Sequence, residues 1–78
     1  MKAIEKIAKT IQSRESLYEQ TWRLVPIEDL ISAARLKTFR AMTMLRNKNK
    51  DKLLDDLIDA AAYLIFAIER LERDKDED

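Results

Sequence analysis

Three charged residues stand where the helical pattern calls for apolar ones. On a helical wheel, Glu15 falls between Ile11, Tyr18 and Trp22, inside an apolar stripe. Lys37 sits in the middle of a second stripe made by Leu30, Ala33, Ala34, Ala41 and Met44. Asp59 interrupts the run LIDAAAYLIFAI, Leu57 to Ile68, whose other eleven residues are apolar or tyrosine. Each has charged company. Glu19 lies one turn beyond Glu15, Arg40 flanks Lys37, and Asp56 shares the side of Asp59 and Tyr63.

Magnitudes limit what these residues can do. An unpaired buried carboxylate costs several kcal/mol even after relaxation. A small domain has only about 5–15 kcal/mol of stability in total. Glu15, Lys37 and Asp59 therefore cannot all be buried singly. They must meet one another, meet a ligand, or line a wet cleft, and the economical arrangement is one shared polar pocket between helices.

The inventory of that pocket suggests a chemistry. Glu15, Glu19, Asp56 and Asp59 are four carboxylates, in excess of Lys37 and Arg40. Close carboxylates raise one another's pKa unless a cation joins them. Mg²⁺ takes carboxylate oxygens and waters and bridges to substrate phosphates. Lys37 and Arg40 would hold phosphate oxygens, and Trp22, Tyr18 or Tyr63 would stack on a base. The same residues also fit an inert ion-pair network that fixes helix register, with Glu19 and Arg40 as solvated edge residues and Trp22 in a core or an interface.

Composition removes other chemistries. The 78 residues contain no Cys and no His, which excludes thiol nucleophiles, zinc fingers and Ser-His-Asp triads. With no Gly and one Pro, Gly-rich phosphate loops and tight hairpins are disfavoured and long helices favoured. The opening MKAIEKIAK is charged throughout, unlike a signal peptide, and the longest apolar run is too short for a bilayer and contains Asp59. These features predict a cytoplasmic protein with no membrane segment.

Net charge is zero but unevenly spread. Residues 35–52 carry seven bases against Asp51, whereas residues 53–78 carry nine acids against three bases. The two regions are set to neutralise each other within the fold or across a dimer. Zero net charge, and the lack of aromatics interleaved with the basic stretch beyond Phe39, disfavour nucleic acid as a partner.

The elements that must position these side chains are three helices in an all-α fold. Helix 1 is predicted from about Ala3 to Trp22, helix 2 from about Pro26 to Arg46 and helix 3 from about Lys52 to Arg73. Pro26 suits a first helical position, with Glu28 and Asp29 in the favourable first turn. Asn49 or Asp51 would cap helix 3. Residues 1–73 would form one helical domain and 74–78 a solvated, disordered acidic tail. Helix 3 is apolar nearly all round from Leu57 to Ile68, and two neighbours cannot cover such a helix. The three-helix protomer is therefore expected to complete an antiparallel helical bundle by oligomerisation, as a dimer or tetramer.

At this point a resemblance enters. DDLIDAAAYLIFAIERLE resembles the second metal-binding helix of the MazG-like all-α nucleoside triphosphate pyrophosphatases, with Asp56 and Asp59 in the acidic pattern. YEQTWR, LISAARLKTFR and the closing helix also resemble a small subfamily with a Tyr-Gly-x-x-Trp-Arg stretch, followed by a helix bearing Lys and Arg. Tyr18, Trp22, Arg23, Lys37, Arg40, Tyr63, Leu71 and Glu72 take those positions. The family's first acidic motif has glutamates three apart, whereas Glu15 and Glu19 are four apart; its Asp-Tyr-Gly reads Leu17-Tyr18-Glu19 here. The resemblance implies Mg²⁺-dependent hydrolysis of a nucleoside triphosphate to the monophosphate and pyrophosphate, or a degenerate relative that binds nucleotide. It assigns metal and catalysis to Glu15, Glu19, Asp56 and Asp59, and substrate to Lys37, Arg40, Trp22 and Tyr63. The alternative from a different class is a non-enzymatic dimeric helical interaction or adaptor module.

Overall fold

The computed structural model describes the backbone of residues 1–18 and 24–77, with all their side chains except those of residues 15–18 and 76–77. Three helices account for almost all of it: α1 Lys2–Tyr18, α2 Ile27–Arg46 and α3 Lys50–Glu77. No strand occurs among the described residues, and no helix among them is long and apolar enough to cross a membrane. The all-α expectation holds.

The boundaries follow local chemistry. Pro26 has ψ 142° and stands just outside α2 as its N-cap rather than as its first residue, with no side-chain cap. Its carbonyl accepts from the Asp29 amide at 2.9 Å, and Glu28 and Asp29 lie against the positive end of the helix. Helix 1 ends among the described residues at Tyr18; its expected continuation to Trp22 lies outside them.

The α2–α3 turn is a Schellman arrangement built without glycine. The Asn49 amide donates to Met44 O at 2.9 Å and the Lys48 amide to Leu45 O at 3.1 Å. That geometry puts Lys48 at φ 58°, in the left-handed region. Asn49 then caps the next helix, its Oδ1 accepting from the Lys52 amide at 3.3 Å. The cap starts α3 at Lys50, two residues before the expected Lys52. At the other end α3 continues through Glu77. The helix thus runs four residues past the expected end at Arg73. Arg70 and Asp74 pair at i,i+4, and Lys75 lies in the last turn, where the helix dipole favours a cation.

α3 is the common neighbour, and α2 packs along it more extensively than α1 does. Leu30, Phe66 and Ala67 centre the core, with Ile11, Val25, Ile27 and Tyr63 packed around them. Arg70 reaches back from α3, Nη1 donating to Val25 O at 2.6 Å, and so ties the approach to α2. Of the seven buried apolar residues described, five are alanines (Ala34, Ala41, Ala60, Ala62 and Ala67). Small side chains let α2 and α3 approach closely but bury little area each. The α1 stripe is only partly used: Ile7, Ile11 and Arg14 are half-buried, while Ile4 and Ala8 are exposed. Leu45, one turn beyond Ala41 on α2, is also exposed.

A non-glycine residue in the left-handed region costs about 1–2 kcal/mol, offset in part by the greater freedom glycine has when unfolded. Lys48→Gly is expected to raise stability by about 0.5–1 kcal/mol, read as a higher urea midpoint with an unchanged slope. A lower midpoint would contradict the turn geometry.

Candidate functional site: an ion-paired seam on α3

The seam begins with the position of Asp59. Its helix has an apolar residue on nearly every side, so only residues from neighbouring helices can reach its carboxylate. Two do. Arg14 of α1 brings Nη2 to 2.7 Å from Asp59 Oδ1, and Lys37 of α2 brings Nζ to 3.2 Å from Asp59 Oδ2. Each carboxylate oxygen faces one cation from a different helix. Asp59 retains only 20% of its side-chain exposure, and Arg14 and Lys37 retain 24% and 29%.

One turn earlier on α3, Asp56 repeats the arrangement. Arg40 Nε lies 3.3 Å from Asp56 Oδ2. As α2 advances from Lys37 to Arg40, its partner on α3 moves back from Asp59 to Asp56, so these helices run in opposite senses at one register. Asp56 is almost wholly buried, at 3% side-chain exposure, whereas Arg40 is half exposed. The pairing is incomplete: Asp56 Oδ2 is buried and accepts no hydrogen bond, Arg40 meeting it as a charge only. A buried acceptor in that state carries an uncompensated desolvation cost.

Tyr63 completes this side of α3. The Arg14 guanidinium lies 5.4 Å from its ring centroid, a cation–π distance. The ring also packs against the Leu30–Phe66 core. Tyr63, expected as a base platform, here supports the arginine that holds Asp59.

Of the expected site residues, Lys37, Arg40, Asp56 and Asp59 are thus brought together in two cross-helix pairs, with Tyr63 beside them. Glu15 lies on α1 next to Arg14, but its side chain is outside the described residues, as are Glu19 and Trp22 entirely. Arg14 is the functional position that sequence reasoning passed over. Its spacing from Ile7 and Ile11, seven and three residues, marked it as equally inward. Arg14 borders the same stripe as its neighbour Glu15, and its positive charge suits Asp59.

The expected excess of acid includes Glu15 and Glu19, whose side chains lie outside the described residues. On the described seam three cations, Arg14, Lys37 and Arg40, face two carboxylates. Among the described residues no group of three or more acidic side chains is placed to hold a metal ion. Neither a protein-family model, nor a curated protein, nor a solved structure matches this chain.

Removing Asp59 leaves two cations facing each other at a partly dry position. Asp59→Ala is expected to cost about 1–3 kcal/mol, less than the roughly 3–5 kcal/mol of a fully buried pair because water still reaches the site. Lys37→Met in the Asp59→Ala background should recover part of the loss, read by a denaturant double-mutant cycle. Equal, additive losses would mean that the two groups do not interact.

Proposed function

We propose that the α2–α3 seam binds the phosphates of a nucleoside triphosphate, and that the protein is a Mg²⁺-dependent nucleotide pyrophosphohydrolase or a nucleotide-binding relative, working as an oligomer. The observation that carries this reading is the register of Lys37 and Arg40 against Asp59 and Asp56. Two anion-holding cations and two carboxylates, each pair one turn apart, share one edge between helices. The resemblance to the MazG-like superfamily supplies the reaction.

The cations of the seam support an anionic ligand. A nucleoside triphosphate stays anionic even when it carries Mg²⁺, so its phosphates suit Lys37 and Arg40. Arg40, already half exposed, is free to turn toward a phosphate, and a phosphate suits its planar fork. Free Mg²⁺ is a poorer fit, because both carboxylates already face cations. Within a nucleotide complex the fit improves: Asp56 Oδ2 lacks a hydrogen bond, and a hard cation takes such an oxygen readily. Asp56 and Asp59 would hold the ion, with Glu15 and Glu19 as the further ligands the resemblance implies. Bound there, Mg²⁺ supplies polarisation of a phosphoryl oxygen and a more acidic water. Lys37 and Arg40 would stabilise the charge that develops on the phosphates.

A second reading has its own observation. Large apolar side chains on α2 and α3 are exposed in the single chain, Phe39, Met42, Leu64 and Ile68 among them. Such a surface fits a helical interaction module, in which the ion pairs serve register alone.

The test is a panel of ribo- and deoxynucleoside triphosphates with Mg²⁺, read by pyrophosphate release and by melting temperature. At least one nucleotide should raise Tm, while Mg²⁺ alone should shift it far less. Lys37→Met with Arg40→Met should lose the nucleotide shift and keep helicity. If no nucleotide is cleaved and none moves Tm, the nucleotide reading falls. Asp59→Leu separates the two readings: an active protein loses hydrolysis, whereas a register device loses only the stability of its pairing.

A further inference from the structure

The side of α3 turned away from Asp56 and Asp59 carries a second pattern. Leu54, Leu57, Ala61, Leu64, Ile68 and Leu71 recur at alternating spacings of three and four. That is the spacing of the a and d positions of a coiled-coil seam. The five large residues of the series are 43%, 47%, 46%, 57% and 58% exposed in chain order. Asp59 and Phe66 stand at the f positions of the same heptads, opposite the seam, and face α1 and α2. One protomer therefore fills the wrong side of a coiled-coil helix and leaves its seam open.

We infer that this seam pairs with the same seam of a second copy of the chain, antiparallel, about a two-fold axis near Ala61 and Leu64. Three observations select that occupant and direction. First, the series is self-complementary when reversed. Leu54 meets Leu71, Leu57 meets Ile68 and Ala61 meets Leu64, so every a position faces a d position and the small alanine opposes a leucine. Second, the ends are oppositely charged. Residues 46–52 hold Arg46, Lys48, Lys50 and Lys52 against Asp51, while residues 69–78 hold six acids against three bases. Within one chain these ends are roughly 35 Å apart along α3 and cannot neutralise each other. Antiparallel pairing sets each against its complement, whereas parallel pairing stacks like on like. Third, an apolar groove of about 450 Å³ opens beside the basic end, lined by Phe39, Met42, Leu45, Leu53 and Leu57. In the antiparallel register it lies beneath the C-terminal half of the other copy's α3.

The inference rests on the assembly proposed above and on none of the nucleotide chemistry. An inert chain that dimerises through α3 loses only the nucleotide reading. A chain that assembles through another face loses only this one.

The chain has no cysteine, so single cysteines report the pairing directly. Full-length Leu54→Cys and Leu71→Cys chains are purified reduced, oxidised alone and as an equal mixture, and resolved without reductant. Antiparallel pairing gives a linked dimer in the mixture and little in either chain alone. Links formed by each chain alone, or none anywhere, overturn the inference. Sedimentation of the unmodified chain should show a dimer as its smallest species. Leu64→Glu should raise its dissociation constant at least about tenfold while helicity by circular dichroism persists in the concentrated sample. A monomer throughout, or a dimer indifferent to Leu64→Glu, also overturns it.

Discussion

The structure depends on the desolvation of two aspartates. Asp56 and Asp59 lie on a helix with apolar residues nearly all round, and at the contact with the neighbouring helices both lose most of their water, Asp56 almost all of it. Each must be met by a cation from another helix. Asp59 is met twice, from α1 and from α2. The attraction has a consequence that hydrophobic contacts between alanines lack: it is specific to one register. Sliding α2 along α3 by one turn would move Lys37 away from Asp59 and toward Asp56, and would leave Asp59 short of a partner. The core, mostly alanine, would tolerate that slip far more easily.

Packing and charge divide the labour between helices accordingly. Leu30 and Phe66 supply most of the large apolar contact at one end of the α2–α3 interface, with Ala34 and Ala62 beside them. Toward the turn the interface changes character, and Lys37–Asp59 and Arg40–Asp56 take over. α1 is held more lightly, by Ile11 at the core and Arg14 at Asp59. Arg14 is doubly constrained, since Tyr63 supports it from below while Asp59 takes its hydrogen bond. That is a reason to expect the α1 contact to depend on the same aspartate as the α2 contact.

Much of this was readable in advance, and the gaps have physical causes. Lys37 and Asp59 were marked by their inward positions, and the cost of burying either alone required them to converge. Asn49 was readable as a cap from its side chain and place. Arg14 was not singled out, because a wheel resolves neighbouring residues only to about a third of a turn, and Glu15 looked equally inward. The left-handed Lys48 was hidden, since without glycine nothing in the residue types marks that conformation. The covered side of α3 was hidden too, because a helix apolar all round has no amphipathic period from which to read a face. Only the partners on α1 and α2 reveal it. The far end of α3 is set four residues short by the sequence because acidic composition favours a solvated tail, whereas the i,i+4 pair of Arg70 with Asp74 favours helix.

With the covered side known, the apolar remainder of α3 acquires meaning. In a heptad, the f position points away from the a/d seam, and Asp59 occupies f while Leu57, Ala61 and Leu64 occupy d, a and d. Charge is therefore placed as far as the helix allows from the residues that would pack dry. An aspartate on the seam would oppose assembly outright, and one at a flanking position would bias its direction. At f it does neither, and α3 can meet α1 and α2 through ions and a second helix through leucines. Two demands that conflict on a short helix with a single face, a polar pocket and the proposed dry interface, fall on opposite sides of one rod.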